Sequence, residues 1–98
     1  MPYVEKSSRE RYDAAIAALV SLLRRAPAGE VNYCVTRLAT AWLDSLGPVS
    51  YTNLNAVIGI LESAKLELYR RCVAPYETGK AAQNGDVYNL FPQEEEMK

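Results

Sequence analysis

The sequence predicts an all-α protein: a small bundle of three antiparallel helices, a kinked or short fourth helix, and a mobile acidic C-terminal tail. Three observations predict it. Apolar residues recur at steps of three and four in three successive stretches, the period of a helix face and not the alternation of a strand. Pro and Gly interrupt that period at 26–29 and 47–48. The connectors so marked are short, which favours antiparallel neighbours. The domain reading is a single helical domain over 1–88 and a flexible tail over 89–98.

Residues 1–6 read as an extended arm. Ser7 and Glu10 then stand at capping-box spacing. Tyr12, Ala15, Ile16, Leu19, Val20 and Leu23 form the stripe of the first helix, which should end near Arg25 because Pro27 forbids continuation. A second helix is expected from about Glu30 to Leu46, with Val31, Cys34, Val35, Leu38, Trp42 and Leu46 on its buried side. Gly47 supplies its stop and Pro48 the break. Ser50 and Thr52 are alternative caps for a third helix starting near Asn53. Its stripe is Leu54, Val57, Ile58, Leu61, Ala64, Leu68 and Cys72. Gly59 falls mid-helix, at a cost of about 1 kcal/mol relative to Ala, which close helix–helix approach, access for a ligand, or drift would account for. Pro75 should kink or stop this helix, Tyr76–Gln83 can continue it, and Asn84-Gly85 marks a turn.

Composition narrows the function. The 98 residues contain no His and two Cys, at 34 and 72. No Ser-His-Asp or Cys-His pair can be built, and neither a His-containing zinc site nor a four-thiolate one; no metal site and no cofactor is expected. The cysteines sit in helical apolar patterns and read as buried free thiols. The longest uncharged run, Ala14–Leu23, is roughly half a membrane span. No basic start followed by an apolar run opens the chain, so a cytoplasmic protein without a membrane partner is expected. Net charge is −1, divided between −2 on residues 89–98 and +1 on the rest. That is too weak for tracking duplex nucleic acid. Glu62 and Glu67 are five apart, on different helix faces, and no Gly-rich phosphate loop exists; the chain reads as not an enzyme. A core this small buries only about 60–65% of the unfolded surface, so a homo-oligomer is expected.

Several blocks resemble a known family. Gly29–Leu38 carries N-Y-x-x-T-x-L; Leu54–Glu77 carries I-G-x-L-E-x-A-K-L-E-x-Y-R-R followed by A-P-Y-E; residues 84–88 read N-G-D-V-Y. They are similar, in order, to a family of small proteins of unknown function found in bacteriophages, prophages and bacteria. The match covers roughly residues 29–88 and leaves out the first helix and the tail. It implies a phage or prophage setting, with the host cytoplasm as location, but no mechanism.

The same blocks hold more polar side chains than helix packing demands. Asn32 is either a first-turn hydrogen-bonding residue or an amide that reads a ligand edge. Tyr33, Tyr69, Tyr76 and Tyr88 belong to a set of seven tyrosines against one phenylalanine. They either cover a thin core or line an aromatic, polar-edged pocket. Glu62, Lys65 and Arg70, with Arg37 on the second helix, are either solvated helix charges or a cluster able to hold a phosphate or ribose. Asp86 either serves the Asn84-Gly85 turn or folds back with Tyr88 onto the third helix. The expected function is a non-enzymatic phage or prophage accessory protein that binds a small nucleotide-like ligand, for instance sequestering an immune signal. The alternatives are an inhibitor or adaptor docking on a host or phage protein, and a virion-associated structural protein.

Overall fold

In the computed structural model, residues 2–88 and 90 are described, and they contain helices and no strand. Helix α1 spans Lys6–Leu23, α2 Ala28–Ser45 and α3 Tyr51–Leu68. A wide π turn, Tyr69–Val73, joins α3 to α4, Ala74–Asn84. The expectation for 89–98 lies outside the described residues, Leu90 apart. The chain divides into two units, Met1–Ala64 and Lys65–Lys98. No helix among the described residues is long and apolar enough to cross a membrane.

In the first unit, the boundaries follow local chemistry. The arm before α1 is tied by Arg9, whose Nε donates to the Val4 carbonyl at 2.7 Å. The helix begins at Lys6 with Glu5 at the cap position and no side-chain cap, so Ser7 lies inside the first turn and the expected capping box does not form. Its end is unusual. Arg25 adopts φ +60°, the left-handed conformation that costs a residue with a Cβ about 1–2 kcal/mol. Ala26 N–H then bonds back to the Leu23 carbonyl at 2.9 Å. After α2, Gly47 takes φ +100°, a value glycine reaches without that cost. Of the two candidate caps for α3, Ser50 is the one used: its Oγ accepts the Asn53 N–H at 3.1 Å, and Thr52 is helical.

In the second unit, Pro75 explains the π turn. In a regular helix its ring would collide with the Arg71 carbonyl four residues earlier, and it has no N–H to donate. The chain widens by one residue instead. The Ala74 N–H reaches the Tyr69 carbonyl, five residues back, and the helix continues as α4. Gly85 then takes φ +95° and donates its N–H to the Ala81 carbonyl at 2.9 Å, ending α4.

The described residues of the single chain do not form a fully buried core. Among the described residues none is buried, and the sequence-adjacent π turn and α4 are the elements in sustained contact. The stripes of α1, α2 and α3 exist but remain at the surface: Ile16 is 56% exposed, Leu38 62% and Ile58 64%. The expected burial of the cysteine thiols fails for the same reason. Both are free, Cys34 half-buried and Cys72 exposed. No atom lies within 4 Å of where a Cβ on Gly59 would stand, so within one chain no close helix approach accounts for that glycine.

Candidate functional site

All ten candidate residues are exposed. Asn32, Tyr33, Arg37 and Glu62 belong to the first unit; Lys65, Tyr69, Arg70, Tyr76, Asp86 and Tyr88 belong to the second.

On α2, the candidates form an ordered strip. Helical spacing puts residues three and four apart on one face. Thr36 donates from Oγ1 to Asn32 Oδ1 at 3.2 Å, which leaves the Asn32 amide N–H2 unengaged among the described residues. Arg37 donates from Nη1 to the Tyr33 hydroxyl at 2.7 Å. Its guanidinium carbon also stands 5.7 Å from the Tyr33 ring centroid, within cation–π range. Thr40 continues the strip, its Oγ1 donating to the Thr36 carbonyl at 2.9 Å. At about 100° per residue, this strip lies on a different side of α2 from Val35, Leu38, Ala39 and Trp42. The helix therefore separates a polar, donor-rich face from an apolar one. Thr36, four residues after Asn32 and part of the N-Y-x-x-T block, and Thr40, four further on, share the polar edge that helical spacing gives this helix, although neither is among the ten candidate binding residues.

Arg37 is the chemically interesting member. Among the described residues its guanidinium meets an aromatic ring and a phenolic oxygen, and no carboxylate. A fork held by a neutral partner keeps its charge for an anion. Arg70 differs. It is held by Glu67 through a 2.6 Å Nη2–Oε1 ion pair and a longer Nε–Oε2 bond at 3.4 Å. Its charge is already met within the helix, so it is a weaker candidate for a phosphate.

The second unit has its own concavity. Glu77, Thr78, Lys80 and Ala81 of α4 face Gly85, Asp86, Val87 and Tyr88 across an open groove of about 410 Å³. Asp86 Oδ1 accepts the Tyr88 N–H at 2.9 Å, an Asx turn that satisfies the carboxylate locally. Lys80 Nζ lies 5.7 Å from the Tyr76 ring centroid. Asp86 and Tyr88, in the segment that follows α4, share this turn and line the groove with residues of α4. Lys80 and Thr78, which line this groove, were not anticipated. Glu62 and Lys65 lie on α3, and Tyr69 opens the π turn.

One further concavity is apolar. Val35, Leu38, Ala39 and Trp42 of α2 and Val57, Ile60 and Leu61 of α3 line a groove of about 300 Å³ within the first unit.

No curated protein and no solved structure matches the chain. A family model does, over residues 1–87, and it includes the first helix that the recognisable blocks left out. The chain belongs to the family described as a domain of unknown function, DUF6899.

Proposed function

We propose that this protein is a non-enzymatic, homo-oligomeric binder of a small nucleotide-like ligand, held by the Asn32–Tyr33–Thr36–Arg37 strip of α2. The observation that carries the reading is the Tyr33–Arg37 pair. A guanidinium fixed at 2.7 Å by a neutral phenol offers charge to a phosphate, and the ring beside it offers a stacking face. Asn32 adds amide donors for a base or ribose edge. In the assembled protein the three long helices pack antiparallel, as their short connectors favour. A phage or prophage setting, supported by the sequence resemblance, gives sequestration of an immune nucleotide signal as one use, in the host cytoplasm.

Titration calorimetry against a panel of cyclic and linear nucleotides tests this. Saturable heat with at least one of them, lost in Arg37→Ala, is expected. No heat with any of them at high protein concentration overturns it.

A further inference from the structure

The groove between α2 and α3 is lined by apolar residues that stay partly open to solvent. Val35, Leu38 and Trp42 form one wall and Val57, Ile60 and Leu61 the other, and every lining residue is apolar. Trp42 remains 42% exposed there and Ile60 52%. In proteins a helix draws most of its stability from packing an apolar face and not from propensity. Here three such helices leave no residue fully buried among the described residues, and their best-covered members are half-buried. A chain in that condition holds its helices only when something covers the faces.

We propose that a second copy of this chain covers this groove, groove against groove. The area sets the scale. The chain exposes 9056 Å², whereas a folded monomer of this mass exposes about 5,600 Å². Full exposure of the ten residues outside the described set would account for about 1,800 Å² of the difference. About 1,600 Å² per chain is left over the surface as a whole, a scale on which obligate homodimers bury area, and the apolar groove is the part of that surface a second copy is proposed to cover. Charge chooses the occupant. In a two-fold contact each residue near the axis faces its own counterpart, so a charged lining would repel itself. No charged or polar side chain lines this groove, and the net charge of −1 leaves little repulsion between whole chains. The polar strip of α2 lies on another side of that helix and stays open. The proposal rests on the homo-oligomer part of the functional reading and not on the ligand.

The test uses the full chain without nucleotide. Trp42, the one tryptophan of the sequence, stands in the groove and reports its cover. Sedimentation equilibrium should give a dimer or a higher multiple. The urea midpoint should rise with each tenfold increase in chain concentration. Trp42 emission should be blue-shifted in the assembly and move red on dilution. Leu38→Glu should give monomer with red-shifted emission and reduced helical signal, whereas Leu22→Glu, outside the groove, should keep the assembly. Because Leu38→Glu can unfold the chain, the concentration series on the unchanged protein carries the decision. A concentration-independent midpoint with monomer mass overturns the proposal. So does a multimer whose Trp42 stays solvent-exposed, and so does a weakly helical monomer, the result expected if a different protein is the cover. A concentration-dependent assembly that takes up no nucleotide leaves this proposal standing and removes the ligand reading alone.

Discussion

Arg37 donates a 2.7 Å hydrogen bond to the hydroxyl of Tyr33 one turn earlier on α2, and its guanidinium carbon sits 5.7 Å from the same ring's centroid. Both side chains are exposed, so the pair adds little to stability. Tyr33→Phe and Arg37→Ala should each change unfolding free energy by no more than about 0.5 kcal/mol. Any nucleotide affinity should fall at least tenfold, about 1.4 kcal/mol, in Arg37→Ala. Arg37→Lys should recover only part of it, because a point charge does not replace a planar fork. Parallel urea melts and calorimetry check the split; equal losses in both would assign the pair a structural role.

Arg25 is a candidate for stabilisation by glycine. It holds φ +60° at the end of α1, where Gly47 and Gly85 close α2 and α4 with positive φ of their own. Arg25→Gly should raise stability by about 0.5–1 kcal/mol, the relief of the left-handed strain less the added freedom of the unfolded chain. A chemical-denaturation midpoint that falls instead would show that the arginine side chain contributes more than its backbone costs.

Gly59 is expected to accept alanine. No atom stands within 4 Å of the position a Cβ would take, and helical spacing puts it on the side of α3 away from Val57, Ile60 and Leu61. Gly59→Ala should stabilise by about 1 kcal/mol through helix propensity, with sedimentation unchanged. A loss of assembly on adding this one methyl group would place a neighbouring chain against that side of α3.

Ser50 and Thr52 separate by role. The Ser50 Oγ accepts the Asn53 N–H at 3.1 Å, and Ser50→Ala should destabilise by about 1 kcal/mol. Thr52, inside α3, should tolerate alanine to within about 0.5 kcal/mol. Thermal or urea melts of the two variants give the comparison directly.

Pro75 should control the register of α4. With Pro75→Ala the steric reason for the wide turn disappears. The Ala74 N–H can then return from the Tyr69 carbonyl to that of Arg70, turning α4 by about 100° relative to Lys65–Leu68. Amide-to-α-proton contacts across 69–74 in NMR spectra should change from five-residue to four-residue spacing. Persistence of the wide turn in the alanine variant would mean that packing, and not the proline, selects it.

The helices, their breaks and the resemblance of residues 29–88 were legible in the sequence because they rest on local chemistry. The three-and-four spacing marks α1, α2 and α3; Pro27, Gly47 and Pro48 end the first two; Gly85 ends α4. Pairs four apart on one helix, such as Tyr33 with Arg37, follow from the same period. The capping box at Ser7 failed because helix initiation at Lys6 needed no side-chain oxygen, a choice that spacing does not encode. The π turn depends on how the backbone yields at Pro75, which a sequence marks as a break or kink without saying which. Helical spacing put Thr36 and Thr40 beside Asn32 and Arg37 without showing which groups they bond, and Lys80 was missed because an amine looks ordinary until its neighbours are in place.

The sequence by itself determined the elements and which side of each is apolar, since a repeating backbone carries that pattern along one chain. Only the tertiary structure decided that the stripes of Ile16, Leu38 and Ile58 stay open to solvent and that Cys34 and Cys72 are not buried. The physical reason is that periodicity specifies a face that needs covering, whereas burial depends on surfaces distant in sequence being brought together. Among the described residues of one chain they are not brought together into a fully buried core.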